Sequence, residues 1–235
     1  MLYIIGLGLN PDGISREGLI IAKKCKKIYL ENYTVEFPYS LEAIENLIEK
    51  KIFPAGREFV ESCRIVDDAK KTDIALLVYG SPLTATTHIT LIQEARASGV
   101  KYKIIYSASV IDAVAETGLQ LYKFGKIASM PEIEADSFME IVKENQKIEA
   151  HSLILVDIGL SFKKAVEKLE TASEKHKIKL DKIVVCSKLG TDNRKIVYEN
   201  IENLRDKEFK TPFCFVIPGK LHFLEKEILD SWSNE

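Results

Sequence analysis

The chain has 235 residues, 46% hydrophobic and 29% charged, and a formal net charge of −2 at pH 7. That length builds one large domain or two smaller ones with ample core, and the apolar fraction excludes a disordered chain. The near-zero charge argues against a protein that coats nucleic acid, which needs a basic excess.

In chain order, Leu2–Leu7 reads as a buried strand ending in the tight turn Gly6-Leu7-Gly8. Ser15 is placed to cap a helix with apolar positions Gly18, Ile21, Cys25 and Ile28. Ile28–Glu31 reads as a second strand, and Leu41, Ile44, Leu47 and Ile48 have helical spacing. Ile74–Tyr79 is a third strand, stopped by Gly80-Ser81-Pro82. A helix from about Thr87 to Ser98 follows, closed by Gly99. Tyr102–Tyr106 is a further strand, and Ser109 opens a helix toward Glu116. Apolar strands separated by helices indicate a parallel sheet covered on both faces, so residues 1–112 read as a Rossmann-like, doubly wound α/β domain.

Residues 113–235 read as a second, mixed α/β domain. Strands are expected at Lys126–Ser129, Leu153–Ile158, Lys182–Ser187 and Phe213–Ile217, and helices at Asp136–Asn145, Ser161–Ser173 and Leu221–Trp232. The last carries Leu221, Leu224, Ile228 and Trp232 along one face. Ile196–Leu204 fits strand or helix, and Gly118–Gly125, with neither period, reads as the join between the halves.

Cys25, Cys63, Cys186 and Cys214 form no CxxC pair and no zinc-finger spacing. They read as small hydrophobes of a reducing cytosol, and no metal is expected. No apolar run reaches the ~20 residues of a membrane span, and no secretory signal pattern opens the chain. The expectation is a soluble cytoplasmic protein that uses neither membrane nor nucleic acid.

Ligands of open α/β sheets bind outside the carboxyl ends of the strands, and three such loops qualify. Gly6-Leu7-Gly8-Leu9-Asn10-Pro11 resembles the opening of a dinucleotide fingerprint, but Pro11 stands where a third glycine belongs; it reads equally as a tight turn. Glu31 sits where a ribose-binding carboxylate would lie, or is a solvated strand-end acid. Gly80-Ser81-Pro82-Leu83-Thr84-Ala85-Thr86-Thr87-His88 offers hydroxyls and an imidazole beside a helix start, with helix capping by Thr86 or Thr87 as the plainer reading. Tyr106-Ser107-Ala108-Ser109-Val110 has small residues that admit a flat ligand, or an ordinary cap by Ser107 or Ser109. There is no GxSxG, P-loop lysine or HExxH. Carboxylates on helix faces read as solvated.

Four stretches in register carry a resemblance: Met1-Leu2-Tyr3-Ile4-Ile5-Gly6-Leu7-Gly8-Leu9, Ala85-Thr86-Thr87-His88, Gly118-Leu119-Gln120-Leu121-Tyr122-Lys123-Phe124-Gly125, and Pro218-Gly219-Lys220-Leu221-His222-Phe223. Together they resemble the diphthine synthase family, within the tetrapyrrole methylase-like S-adenosylmethionine methyltransferases. The third stretch separates that family from the porphyrin methylases. The resemblance implies two α/β domains with S-adenosylmethionine in the cleft between them, a homodimer, and methylation of the amino group of a modified histidine on translation elongation factor 2, a step of diphthamide biosynthesis. Three successive transfers are implied for the archaeal type.

The family's cofactor contacts carry over to Leu9, Ser81, Thr84, Ser109, Val110, Val156, Leu189 and Phe213. Two depart from its pattern: Ser81 stands where an aspartate is usual, and Phe213 where a histidine is usual. No general base is nominated, His88 being the one tempting imidazole. The alternatives are a corrin or porphyrin methylase, or a non-catalytic partner of the elongation factor.

Overall fold

The computed structural model describes residues 1–233. The chain divides into two compact units, Met1–Ile111 and the part from Asp112 onward.

The first unit runs β1 (Leu2–Gly6), α1 (Arg16–Lys24), β2 (Lys27–Glu31), α2 (Leu41–Ile48), β3 (Phe53–Ala55), α3 (Arg57–Glu61), α4 (Arg64–Lys71), β4 (Ile74–Val78), α5 (Ile89–Ala97) and β5 (Tyr102–Ile105). Its sheet, ordered β3-β2-β4-β1-β5, is wholly parallel. Side chains alternate across it: Leu2, Ile4, Ile74, Leu76 and Val78 enter one buried layer, and Ile5, Leu7, Ala75 and Leu77 the other. Burial on both faces is why these strands read as unbroken apolar runs. Three details differ from the sequence reading. Helix α1, capped by the Ser15 hydroxyl on Gly18 N–H at 3.0 Å, ends at Lys24, so Cys25 is its cap and Ile28 already lies in β2. Helix α5 starts after His88 without a side-chain cap, so neither Thr86 nor Thr87 fills that role. The elements β3, α3 and α4 are additional to that reading.

After β5 come α6 (Val110–Ala113) and a 3-10 turn over Val114–Thr117. The second unit then runs β6 (Ala128–Met130), α7 (Ser137–Lys147), β7 (Ser152–Val156), α8 (Phe162–His176), β8 (Lys182–Ser187), β9 (Lys195–Asn200), α9 (Ile201–Leu204), β10 (Phe213–Ile217) and α10 (Phe223–Ser231). Its sheet order is β6-β7-β10-β8-β9, with only β6–β7 parallel. Phe138, Ile154, Phe162, Leu169, Val185 and Phe215 centre its core. The ambiguous Ile196–Leu204 is both: strand to Asn200, then one helical turn.

Gly118–Gly125 is built into this second unit. Gly125 N–H donates to His151 C=O at 2.9 Å, and His151 N–H to Lys123 C=O at 2.9 Å. A Cβ on Gly118 would lie 2.3 Å from Ile228 of α10, so only glycine fits. Helix α10 also corrects the expected face. It buries Glu225 and Leu229, while Leu224 is exposed. Glu225 turns inward because it is fully partnered there, as described below. Of the four cysteines, all free, Cys25, Cys186 and Cys214 are buried and Cys63 is partly exposed.

Candidate functional site

Three strand-end loops of the first unit converge. Gly8 N–H donates to Gly80 C=O at 3.0 Å and Gly80 N–H to Gly8 C=O at 2.9 Å. Both glycines have positive φ, 71° and 72°, which L-residues adopt only at a cost. The Ser107 hydroxyl ties the third loop to the first by donating to Gly13 C=O at 2.8 Å. A Cβ on Gly6 would stand 2.6 Å from Gly80 O, so the loops meet at backbone distance. The β4–α5 loop holds two further left-handed residues, Leu83 (φ 66°) and Ala85 (φ 53°). Such outliers are held by surrounding structure and cluster at ligand sites.

The five expected residues of this unit fall on these loops. Leu9 is buried, and its carbonyl receives the Tyr79 hydroxyl at 3.4 Å. Ser81 is buried at 9% exposure and Thr84 half-buried. The Ser109 hydroxyl accepts from Ile111 N–H at 3.2 Å, capping α6, and Val110 begins that helix.

The other three lie at one end of the second sheet. The β7–β10 register, Cys214 opposite Leu155, carries on to set Phe213 opposite Val156. Phe213 also faces Ser187 on β8, two residues before the buried Leu189. The Phe213 ring packs on Phe162 at 5.4 Å and Phe215 at 5.8 Å between centroids. It is a core side chain, and a contact made there is a backbone contact.

Glu31 follows neither sequence reading. It is 1% exposed, and its carboxylate accepts from Tyr33 N–H (2.7 Å), Thr34 N–H (2.9 Å) and the Thr34 hydroxyl (2.5 Å). It shapes the exit of β2 and is not available to a ribose. His88 is likewise 1% exposed, and neither ring nitrogen finds a hydrogen bond among the described residues. Burial pushes its pKa down, against the opposing pull of Glu31, so the ring is neutral near pH 7.

A second polar centre escaped the sequence reading. Glu225, 0% exposed, accepts from His222 N–H at 2.7 Å, Gln120 N–H at 3.0 Å, His151 Nε2 at 3.1 Å and the Lys123 ammonium. Burial alone would raise its pKa, but the His222 and Gln120 amides with Lys123 and His151 outweigh that and hold it at about 2. His151 Nδ1 accepts from Gly219 N–H at 2.8 Å, so Nε2 carries the proton. The network binds the Gly118–Gly125 stretch to the Pro218–Phe223 stretch. Their shared signal was Glu225 three residues after His222, a capping-box spacing. No group of three or more potential metal-binding side chains occurs among the described residues, and no described helix is long and apolar enough to cross a membrane.

The architecture is a parallel α/β unit whose three strand-end loops are held together, followed along the chain by a second, mixed α/β unit. The chain belongs to the family of tetrapyrrole (corrin/porphyrin) methylases, whose pattern matches residues 1–205, and is thereby an S-adenosylmethionine-dependent methyltransferase. Within that class it is similar over its whole length to the diphthine synthases. It is 37% identical to the diphthine synthase of Methanocaldococcus jannaschii, with 97% of each chain covered. It is 34% identical to the diphthine methyl ester synthase of Dictyostelium discoideum, covering 99% of this chain and 98% of that one. A crystal structure of diphthine synthase superposes with a TM-score of 0.92 at 32% identity, covering 99% of this chain and 96% of that one.

Proposed function

We propose that this chain transfers methyl groups from S-adenosylmethionine to the amino group of the modified histidine of translation elongation factor 2, in diphthamide biosynthesis. The observation that carries the reading is the Gly8–Gly80 bridge, which with the Ser107–Gly13 bond holds three loops together in a chain similar throughout to diphthine synthases. Leu9, Ser81, Thr84, Ser109 and Val110 of the first unit, with Val156, Leu189 and Phe213 of the second, are the proposed cofactor contacts. The first-unit loops approach one another closely because glycine stands at 6 and 8: a Cβ on Gly6 would lie 2.6 Å from Gly80 O, and one on Gly8 2.9 Å from Gly13 O. Ser81 lacks the carboxylate usual there, so polar recognition falls more heavily on backbone groups.

Bound S-adenosylmethionine supplies an electrophilic methyl group on a sulfonium. The protein's part is to bind, orient and keep out water. Near-attack positioning of two partners is worth ~7–11 kcal/mol. The acceptor amine must arrive unprotonated, and a desolvated lining lowers its pKa toward that state. No acid is required, since positive charge moves from sulfur to nitrogen. His88, shut away at 1% exposure, is not assigned the role of base. Three successive transfers, a homodimer and a cytoplasmic location complete the proposal.

The test is purified protein with labelled S-adenosylmethionine, offered either elongation factor 2 bearing the amino-carboxypropyl histidine or a tetrapyrrole. Label in the factor alone supports the reading. Label in the tetrapyrrole, or none despite saturating cofactor, refutes it.

A further inference from the structure

The net charge of −2 conceals a local surplus of the opposite sign. All five strands of the first sheet run parallel, so their amino-terminal ends lie together, at the end of the sheet away from the Gly8 and Gly80 loops. The register sets Lys27, Ile74, Leu2 and Tyr102 in one row across β2, β4, β1 and β5. Tyr29 opposite Phe53 carries that row on to Lys51, ahead of β3. Each strand therefore starts near a cation: Lys51 for β3, Lys26 for β2, Lys71 for β4, the Met1 amine for β1 and Lys101 for β5. Backbone bonds hold these entries together, from Lys26 N–H to Asp73 C=O at 3.0 Å and from Leu2 N–H to Lys101 C=O at 2.9 Å. At ~4.8 Å between strands the strip is about 19 Å long.

Counting ion pairs leaves the strip positive. Glu49 is taken by Lys23, Asp68 by Lys27, Asp67 by Lys70 and Asp73 by the Met1 amine. Lys24, Lys26, Lys50, Lys51, Lys71 and Lys101 are all exposed and have no carboxylate partner among the described residues. Against these six stands Glu45, whose carboxylate accepts from Ile52 N–H at 2.8 Å. Farther out, Glu94 and Arg96 of α5 offset each other.

Helices α1, α2, α4 and α5 also end here, and their carbonyl ends together amount to about two negative charges. That accounts for Lys24 and Lys71, which close α1 and α4, and for Lys50, whose ammonium donates to Cys25 C=O at 2.8 Å. It does not account for Lys26, Lys51 and Lys101, which stand in the segments entering the strands.

We infer that this strip holds the phosphate backbone of a nucleic-acid duplex. Its unpaired cations are lysines, point charges that meet phosphate without the bidentate fork by which arginine reads guanine. A single-strand site would interleave aromatic rings to stack bases. Phe53 alone among the described aromatics of the row is exposed, and the Lys51 ammonium already lies 5.7 Å from its ring. A duplex carries one charge per ~1.7 Å of axis, about eleven along ~19 Å, enough to engage every unpaired lysine. A protein surface intersperses both signs and matches a one-signed surplus less well. The near-neutral chain as a whole speaks against coating nucleic acid over its entire surface, not against one charged end. The strip lies a strand length, ~17 Å, from the loops proposed for the cofactor, so duplex and cofactor bind independently.

The experiment is fluorescence anisotropy of a short labelled RNA duplex with the full chain, at salt from about 50 to about 200 mM. Wild type should bind with a Kd on the order of 10⁻⁵ M near physiological salt, and log K should fall by about four to five per decade of salt. The Lys26→Glu/Lys51→Glu/Lys101→Glu variant should bind at least about tenfold more weakly and lose about three from that slope, one per lysine. The Lys143→Glu/Lys163→Glu/Lys164→Glu variant has the same net charge but alters exposed lysines of the second unit. It should bind within about threefold of wild type, since salt screens charges beyond ~8 Å. A strip variant with an unchanged melting temperature is folded; if the temperature falls, glutamine at the same three positions repeats the measurement. No binding by wild type, an unchanged slope in the strip variant, or equal loss in both variants overturns the proposal and leaves the lysines as partners of helix ends. A single strand that binds more tightly than the duplex also overturns it. So does displacement of the duplex by polyglutamate or anionic vesicles at matched charge, which would make the strip a surface for acidic protein or for lipid.

Discussion

Gly8 and Gly80, on different strand-end loops, hold each other by a reciprocal pair of backbone hydrogen bonds at 3.0 and 2.9 Å. The two glycines share a left-handed conformation but not the same surroundings. A Cβ on Gly8 would stand 2.9 Å from Gly13 O, whereas on Gly80 its nearest neighbour is 3.7 Å away. Gly8→Ala should therefore cost about 1–3 kcal/mol through strain plus collision, and weaken S-adenosylhomocysteine binding. Gly80→Ala meets the conformational cost alone, about 1–2 kcal/mol. Thermal denaturation and calorimetry check the ranking, and a Gly80 variant worse than the Gly8 variant would break it.

Ser81 offers a gain-of-affinity test. If the site retains the geometry for a carboxylate, Ser81→Asp should tighten S-adenosylhomocysteine binding by about 1–3 kcal/mol, the range for a charge-assisted hydrogen bond. Unchanged affinity by calorimetry would place recognition at this position on the backbone.

The Glu225–His151 pair predicts an acid-labile second unit. The folded pKa of Glu225, about 2, lies below its ordinary 4.5, so its stabilisation is present above pH 4.5 and is lost as pH falls toward 2. Burial also depresses His151 below 6.5, and its Nδ1 must stay unprotonated to accept from Gly219. Its contribution is whole above pH 6.5 and declines below it. Stability should thus begin to fall below pH 6.5 and steepen below 4.5. Glu225→Ala strands a buried partner and should cost about 3–5 kcal/mol near neutrality. Denaturant titrations from pH 3 to 8 read both effects, and a flat wild-type profile would contradict them.

His88 separates a structural from a chemical role. A buried imidazole without hydrogen bonds costs stability, so His88→Leu should leave the melting temperature level or raise it. Turnover should stay within about threefold of wild type, well short of the 10²–10⁴-fold that general-base loss brings. A loss in that larger range, with a pH profile stripped of its acidic limb, would make His88 the base.

The parallel sheet was legible because burial on both faces writes unbroken apolar runs such as Ile74–Val78, and strands β8 and β10 appear with their observed limits. Helix α1 was read too long because Cys25 and Ile28 keep a helical spacing after the backbone has turned into β2. Helix α4 is legible in principle, since Ile65, Val66 and Ala69 keep a helical spacing and are buried, but it spans only eight residues, five of them charged. At the site, the glycine loops were legible from Gly6-Leu7-Gly8 and Gly80-Ser81-Pro82. The burial of Glu31 and Glu225 was not, because a carboxylate's partners are mostly backbone N–H groups, which every sequence possesses alike. Gly118–Gly125 lacked periodicity for the same reason: it is held by Glu225, His151 and a glycine-sized gap against Ile228, not by an apolar stripe.

The most direct measurement is mass spectrometry of elongation factor 2 after incubation with this protein and S-adenosylmethionine. The account predicts methyl groups on the amino nitrogen of the single modified histidine, up to a base-stable trimethylammonium. An unmodified factor, methylation elsewhere in it, or methyl groups released by mild base and therefore esters of the carboxylate, would contradict it.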